Sequence, residues 1–528
     1  MNKRTTILTA LFALALAAGA FFRLEGLGRK VVWFDEAVTL TLVSGRTGAE
    51  VRRALAAGEP GAEQLRELQR VKPGSRVGDV VSAVGRTDPQ LPPLYFVAAR
   101  LWAQTFADSP AGVRAVSAVF GVLALPCFYW LCREMFGPGP SPAVATALLA
   151  VSPFHVAYAQ EARPYSLWAL LTIVSSAALL YALRAQTAQA WALYAVSAAA
   201  GLYAHALFAA VMGAHALYVA AVELRLSGAR KFRPTKAALG FALSAALALA
   251  TFAPWALKIR EAAATVEAKT AWAREEVGAG PMLKSWAHGL ARVFLDLGGR
   301  SAAEASEPYG VVSPLTEAAL WPLAALALFA LYRVCRDAPR RAWLLVLLLA
   351  ACVFVPLAGA DLALGGKRST VGRYLFPTYL AAQAAVAHLL ASRAFVVGGR
   401  RARAWGAALA VVVACGLASC AVMWREETWR NKGQLTGMRG VVRVVNASER
   451  PLVVTTFAGM NAGNALALAH SLNSRARFRF IADAREPAPP PPTEVFYLGL
   501  TESARRRLAE AGRRLEPAGP PELWRMVR

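Results

Sequence analysis

Two adjacent carboxylates, Asp35 and Glu36, follow the first apolar segment of the chain within the stretch VVWFDEAVTL. A carboxylate placed beside aromatic side chains can serve as a general base, and paired carboxylates can also hold a divalent cation. The two residues equally fit the start of an interfacial helix near Ala37, where negative charge is favourable. The pair is therefore a candidate site for catalysis or ion handling, and the rest of the sequence must decide which.

Cations suited to bind a phosphate lie in turns after later apolar segments. They occur in the stretches QEARPYSL and GGKRSTVGRYLFP and are Arg163, Arg373, Lys367 and Arg368. Guanidinium and ammonium groups neutralise phosphate oxygens, so these four are the candidate phosphate-binding residues. Each also has a structural interpretation, because interfacial arginines commonly anchor helix ends and Arg163 stands close to an acidic partner in Glu161.

Polar and aromatic side chains in the loops and turns between the apolar segments are candidates for substrate contact. They are Asp88, Tyr95, Glu161, Tyr165, His205 and Tyr374. His205 equally fits a packed, hydrogen-bonded histidine, and aromatic residues at span ends commonly form interfacial belts. A divalent cation, Mg²⁺ or Mn²⁺, would bind beside Asp35 if one is used, although nothing in the spacing requires it.

The composition indicates an integral membrane protein, because the chain is 56% hydrophobic and only 17% charged, with a mean hydropathy of +0.40. A spanning helix needs roughly 20 mostly apolar residues. About eleven stretches fit that description, namely 5–22, 114–132, 142–158, 165–184, 190–205, 206–223, 237–257, 316–333, 342–360, 374–392 and 404–423. An alternative for the first stretch is a signal peptide with a cleavage site at AGA.

The net charge is +25. The basic residues recur in alternate loops, as the positive-inside rule predicts, so they indicate how the protein is oriented in the membrane and not that it binds nucleic acid. Starting from a cytoplasmic N-terminus, residues 23–113, 159–164, 258–315, 361–373 and everything after 424 lie outside the cytoplasm. All the candidate site residues lie in these outer segments or at the outer ends of the spans next to them. The six cysteines fall in or beside predicted spans and show no zinc spacing. The predicted location is the inner or plasma membrane, crossed many times.

The sequence divides into a membrane domain, 1–423, and an extracytoplasmic tail, 424–528. The first outer loop, 23–113, is long and contains interfacial helices. In the tail, RPLVVTTFAG, RFRFIADA, EVFYLGL and ELWRMVR predict strands, and Asn461–Leu472 and Glu502–Arg513 predict helices, the second capped by Thr501. This alternation predicts a small α/β domain, with a stiff connector at 487–492.

This combination of segments resembles the GT-C membrane glycosyltransferases, in particular bacterial relatives of protein O-mannosyltransferases and of the aminoarabinose transferase that modifies lipid A. The motifs that carry the resemblance are WFDEA, PPLYF with a following LW, SPF with QEARPYSL, GLYAH and GRYLFP, in that order. Leu91 precedes Pro92 where relatives often have histidine, and the first outer loop is longer than usual. Both departures affect the region where an acceptor would bind.

The resemblance implies an inverting hexosyl- or pentosyltransferase that takes a sugar from an undecaprenyl- or dolichyl-type phosphate carrier. The acceptor is a lipid, a glycan or a protein outside the cytoplasm. The residues suit this chemistry independently: Asp35 as general base, Glu36 orienting it or binding sugar hydroxyls, and the four cations stabilising the leaving phosphate. The carrier tail would lie among the spans and the membrane lipids.

Two other classes stay open. A transporter or flippase of cell-envelope lipids would have ionisable residues within its spans, and here the candidate charges cluster in loops. A non-catalytic scaffold that presents the tail to a partner would not need Asp35, Arg163 or Arg373. Within the transferase class, a glycan ligase or polymerase would share the fold and differ in its acceptor.

Overall fold

The computed structural model describes residues 3–226, 235–298, 314–395, 399–428, 436–481, 494–520 and 522–527, and most of them are helical. The helices before the first long span are α1 (Lys3–Leu24), α2 (Phe34–Val43), α3 (Gly48–Ala56), α4 (Ala62–Glu67), α5 (Val77–Thr87) and α6 (Leu94–Thr105). The next are α7 (Pro110–Phe136), α8 (Pro140–Ala150), α9 (Pro153–Ala159), α10 (Tyr165–Ala185), α11 (Ala188–Ala204), α12 (Phe208–Leu226) and α13 (Lys236–Glu261).

The second half of the membrane portion is also helical. Its helices are α14 (Ala263–Thr270), α15 (Ala279–Arg292), α16 (Pro314–Asp337), α17 (Arg340–Cys352), α18 (Phe354–Leu364), α19 (Phe376–Phe395) and α20 (Gly399–Arg425). Within the described residues, six helices are long and apolar enough to cross a membrane, or seven if one bent pair is counted as a span. Each of the eleven predicted stretches lies on one of these helices or helix pairs, while the number that cross stays a prediction.

The stretch predicted as one span at 142–158 is broken into α8 and α9, which meet at an angle of 55°. Pro153 disfavours a helical conformation at Ser152, whose backbone is extended. The carbonyls freed at the end of α8 accept hydrogen bonds from the fully buried Arg23 guanidinium, at 2.8 Å for Leu149 and 2.6 Å for Ala150. A buried cation thus satisfies the polar groups that the bend exposes.

A second break separates α17 from α18 at Val353. Pro356 explains it, because a proline removes one helical hydrogen bond and its ring clashes with the carbonyl four residues earlier, at Cys352. Beyond the break, the buried Asp361 carboxylate accepts hydrogen bonds from the Arg368 guanidinium at 2.9 Å and from the Ser369 amide at 2.6 Å. These bonds fix the start of the loop that carries Arg373.

The tail forms a five-stranded sheet beside three helices, α21 (Thr436–Ala447), α22 (Asn461–Leu468) and α23 (Glu502–Glu510). The strands are β1 (Pro451–Thr456), β2 (Arg477–Ile481), β3 (Glu494–Leu498), β4 (Arg514–Pro517) and β5 (Leu523–Val527), in the order β2-β1-β3-β5-β4. β1 pairs in parallel with β2 and β3, and the pairs of β5 are antiparallel. The four predicted strands, both helices and the Thr501 cap are confirmed.

Strand β4 is missing from the sequence interpretation. Its residues, RLEP, are short, polar and mostly exposed, and they pair only with β5 at the edge of the sheet. Such a segment has no apolar alternation to reveal it. The predicted connector at 487–492 lies outside the described residues.

The tail packs directly onto the first loop. The Phe478 amide donates to the Pro60 carbonyl, and the Ala62 amide donates to the Ala476 carbonyl, both at 2.9 Å. Helix α22 lies against α2 so closely that a Cβ placed on Gly463 would come within 2.4 Å of the Phe34 ring. The C-terminal domain therefore supports the helix that carries the acidic pair.

Candidate functional site

Helix α2 places the acidic pair in its first turn. It begins at Phe34, three residues before the predicted start, after an extended Trp33. Carboxylates are favourable there because the unpaired amides of a helix N-terminus carry partial positive charge. Asp35 and Glu36 are adjacent in sequence, but they have different partners and different exposure.

The carboxylate of Asp35 faces two guanidinium groups that come from distant loops. Its Oδ2 lies 3.7 Å from Nη2 of Arg163 and 3.9 Å from Nη1 of Arg373. The Asp35 side chain is 17% exposed, so the group is accessible at one side. We call Asp35, Arg163 and Arg373 the Asp35 centre. Its ion pairs are longer than hydrogen bonds, so these three charged groups are not locked together by short bonds.

Arg163 is held in place by the helix that carries Asp35. Its Nη1 donates to the Asp35 carbonyl at 3.4 Å and to the Thr39 hydroxyl at 3.3 Å. Burial acts to lower the pKa of the Arg163 guanidinium, but Asp35 and Tyr165 together raise it by more, so the net pKa is raised. Arg163 is therefore a fixed positive charge.

Arg373 reaches the same carboxylate from the turn at Gly372–Tyr374. Its guanidinium carbon lies 5.5 Å from the ring centre of Trp272 and 5.8 Å from that of Tyr374, within the range of cation–π contact. Burial acts to lower the pKa of Arg373. Its neighbours, Tyr165 and Asp35 foremost, raise this pKa by more, so the net shift is upward. Trp272 was not singled out from the sequence; its signal is an isolated tryptophan in a polar outer segment.

Glu36 lies in a closed, fully buried ion pair with Arg114. Both carboxylate oxygens accept from that guanidinium at 2.7 Å, and each side chain is 1% exposed. Arg114 also donates to the carbonyls of Leu27 and Lys30, and the Ala162 amide donates to Glu36. We call this pair the Glu36 anchor. Its geometry favours the orienting role over contact with sugar hydroxyls, because the carboxylate has no exposed edge.

Lys367 and Arg368 each have their own acidic partner. The Lys367 ammonium contacts Glu275 and lies 5.8 Å from the Trp272 ring centre, while Arg368 pairs with Asp361. Neither has a recorded contact with Asp35. Lys367 therefore lies at the rim of the Asp35 centre, next to Trp272, and Arg368 supports the loop.

Three of the predicted contact residues surround the Asp35 centre. The Tyr165 ring lies 5.7 Å from the Arg163 guanidinium, and His205 lies 6.2 Å from Tyr165 and 6.4 Å from Tyr374, between ring centres. His205 stacks on Trp168 at 4.1 Å. His205 is buried, and this stacking fits the interpretation of a packed histidine.

The side chains of the other three are buried and not exposed at the Asp35 centre. Tyr95 is fully buried, and its hydroxyl lies 2.8 Å from that of Ser117, so it serves packing in this structure. Glu161 is fully buried as well. Asp88 pairs with Lys269 at 2.6 Å, beside a separate cleft. None of these three residues therefore presents an exposed side chain at the Asp35 centre, where the predicted contact with a substrate would be made.

A divalent cation does not fit the donor set around Asp35. Two guanidinium groups already face this carboxylate. Among the described residues there is also no group of three acidic, histidine or cysteine side chains that could hold a metal ion. Positive charge at this centre is supplied by arginines, and no step below depends on a metal.

Comparisons with known proteins identify a matching family model and similar folds. Residues 90–257 match the family model of dolichyl-phosphate-mannose-protein mannosyltransferases. In fold, the chain is similar to ArnT from Cupriavidus metallidurans bound to undecaprenyl phosphate, with a TM-score of 0.51 and 13% identity over 98% of this chain and 97% of that one. It is also similar to the Archaeoglobus fulgidus oligosaccharyltransferase in the apo form, with a TM-score of 0.50 and 13% identity over 89% of this chain and 64% of that one.

No curated protein matches the chain in sequence. The predicted resemblance to GT-C membrane glycosyltransferases is confirmed. The chain has the fold of a membrane glycosyltransferase, and its matched segment carries the PPLYF, QEARPYSL and GLYAH motifs.

Proposed function

We propose that the chain is an inverting glycosyltransferase that moves a sugar from a polyprenyl phosphate to a hydroxyl group outside the cytoplasm. The observation that carries this proposal is the Asp35 centre, a part-exposed carboxylate facing two guanidinium groups from separate loops. A general base next to a phosphate-binding pair is what such a transfer requires.

The loose ion pairs suit a change of partners when the donor binds. The donor phosphate attracts the guanidinium groups of Arg163 and Arg373, for which it offers more oxygens than one carboxylate. Asp35 is then released to accept a proton. Trp272, exposed next to Arg373, is placed to cover the sugar or the phosphate from the outer side.

The reaction then follows as one displacement. The acceptor oxygen attacks the anomeric carbon while its proton passes to Oδ of Asp35. The bond between that carbon and the phosphate oxygen breaks, and its electron pair leaves with the phosphate, which Arg163 and Arg373 stabilise. Attack opposite to the leaving group inverts the anomeric configuration. Glu36, held by Arg114, keeps the first turn of α2 in place.

The carrier is proposed to be a polyprenyl phosphate of the undecaprenyl type, with its tail between the spans. The similarity in fold to ArnT bound to undecaprenyl phosphate supports this class of donor. The side of the membrane is proposed from the distribution of basic residues. The acceptor is a lipid, a glycan or a protein.

The test is a transfer assay on detergent-purified protein with a mixed pool of polyprenyl-phosphate sugars and extracts of the host envelope. Mass spectrometry follows free polyprenyl phosphate and glycosylated products. The expected result is release and transfer by the wild type and neither by the Asp35→Asn variant. Equal turnover by both proteins would remove Asp35 as the base, and no turnover by folded wild type with any donor would remove the transferase.

A further inference from the structure

A polar cleft of about 820 Å³ lies in the first loop, apart from the Asp35 centre. It opens between α3, α5 and the loop at residues 72–75, and Lys269 of α14 completes its wall. Its charged lining residues are Arg53, Lys72, Arg86, Lys269, Glu50 and Asp79. Cations thus outnumber carboxylates in the lining, and nothing in the proposed reaction uses this cleft.

A buried arginine fixes the shape of the cleft. Arg100 is fully buried, and its guanidinium donates to the carbonyls of Val43 and Ser44 at 3.0 and 2.9 Å. The same group donates to the Ser75 carbonyl at 2.9 Å and to the Ser75 hydroxyl at 2.6 Å. These bonds tie the end of α2 to the loop on the opposite wall, so the cleft is a built feature and not a gap between loose segments.

The cations of the cleft differ in their partners. Lys72 pairs with Glu50 at 3.0 Å, and Lys269 pairs with Asp88 at 2.6 Å. Hydrogen bonds from Thr47 and Lys72 lower the pKa of Glu50 to about 2, so this carboxylate is ionised and already engaged. Arg53 and Arg86 have no hydrogen bond or ion pair within the described part of the chain. They are the two charges left for a ligand.

The cleft and the Asp35 centre lie at opposite ends of one rigid element. Asp35 is in the first turn of α2, and Gly45, just past its end, lines the cleft. Ten helical residues at 1.5 Å each separate them by roughly 15 Å. A ligand that reaches both places must therefore be extended, which a single sugar or a free phosphate is not.

We infer that this cleft binds an anionic group, a phosphate or a carboxylate, carried by an extended saccharide acceptor whose reacting hydroxyl lies at Asp35. The inference rests on the proposed transferase function and names the class of its acceptor. Arg53 and Arg86 contact the anionic group, and the preformed walls hold the saccharide chain. The cleft is then a specificity site that takes no part in the chemical step.

The test is direct binding without donor, using pentamannose that carries one phosphate ester, neutral pentamannose, and inorganic phosphate. Wild-type protein is expected to bind the phosphorylated saccharide more tightly than either of the other two, with an affinity that falls as salt is added. The Arg53→Gln, Arg86→Gln double variant is expected to bind it about tenfold more weakly. Arg506→Gln, which removes one positive charge from the exposed face of α23, is the control, and each single substitution, Arg53→Gln and Arg86→Gln, is compared with it as well.

The outcomes separate this inference from the proposed function. Equal binding of the phosphorylated and neutral saccharides, or an equal loss in Arg506→Gln, overturns the cleft as an anion site. If inorganic phosphate alone binds with the same affinity as the phosphorylated saccharide, the inference that the acceptor is an extended saccharide is overturned. None of these results depends on turnover.

Discussion

The two carboxylates at the start of α2 belong to two ionic regions built in opposite ways. In the Glu36 anchor, both oxygens lie 2.7 Å from the Arg114 guanidinium and both side chains are almost fully buried. In the Asp35 centre, the nearest guanidinium nitrogens are 3.7 and 3.9 Å away and the carboxylate is partly exposed. One region is saturated with hydrogen bonds, and the other is open to a new partner.

The difference separates structural from chemical charge. A buried, fully bonded pair can do little besides hold its segments together, because each charge would lose several kcal/mol if its partner left. A loose pair in partial contact with water can exchange partners at small cost. Neighbouring residues of the same type thus take different roles according to the loops that meet them.

The largest expected effect is on turnover in Asp35→Asn. Without a base to accept the proton, the rate should fall by roughly 10²–10⁴-fold. The thermal stability should fall by less than in Arg114→Ala, because the lost contacts are longer than hydrogen bonds and asparagine keeps the shape of the side chain. Initial rates of transfer measure the effect on turnover, and a thermal unfolding scan measures the effect on stability. A large loss of stability would show that Asp35 is as structural as Glu36.

The next effect is on stability in Arg114→Ala, which leaves Glu36 buried and unpaired. The free energy of unfolding should fall by about 3–5 kcal/mol. Denaturant unfolding in detergent, followed by tryptophan fluorescence, measures it. Replacing both partners, as Arg114→Met with Glu36→Gln, should restore part of the loss. If the single variant is as stable as the wild type, the anchor is not what holds α2.

A smaller effect is expected in Arg373→Lys, which keeps the charge and loses the planar, two-pronged donor. Activity should fall about tenfold, mainly through weaker binding of the donor phosphate. Arg368→Lys is the matched control, since its guanidinium is engaged with Asp361. Measured kcat and KM for the donor should change in the first variant and stay close to wild type in the second. Equal losses in both would indicate a general effect of the loop.

The smallest effect concerns pH at the contact between the tail and the first loop. His470 lies 3.1 Å from Gln69, and burial with the charges of Arg114 and Arg66 lowers its pKa to about 4. The folded state holds the imidazole neutral, while the unfolded chain takes up a proton below pH about 6.5. Stability should therefore decline from that pH down to about 4, by roughly 1–2 kcal/mol after screening.

Unfolding midpoints measured across this pH range test the prediction, with His470→Gln as the control. The variant keeps a hydrogen-bonding side chain and cannot titrate, so its profile should lose this part of the slope. The same slope in both proteins would assign the pH dependence to other groups. A wild-type profile that is flat between pH 4 and 6.5 would also contradict it.

Much of the fold follows from local patterns in the sequence. Apolar stretches of spanning length predict the helices, and short runs of β-branched, aromatic and other apolar residues predict four of the five tail strands, since these signals depend only on neighbouring residues. The breaks at Pro153 and Pro356 are also local signals, but a long apolar run hides them. Strand β4 is short and polar and is defined by its pairing with β5, so its own residues do not predict a strand.

The candidate site was predicted in its residue types and less well in its roles. Asp35, Arg163 and Arg373 were named from their loops, and the structure brings them together. The same reasoning gave Glu36, Tyr95 and Arg368 equal standing, because sequence does not show which charge meets a buried partner. The cleft in the first loop was missed, since its wall combines that loop with Lys269, far along the chain.

The sequence by itself determined the class of the protein, the position of its apolar helices, the α/β character of the tail and the set of ionisable residues near the site. These depend on composition and short-range periodicity. The tertiary structure alone decided which carboxylate is open and which is closed, and that α22 packs against α2. Such facts depend on side chains separated by hundreds of residues, whose distances are fixed only when the helices and loops pack together.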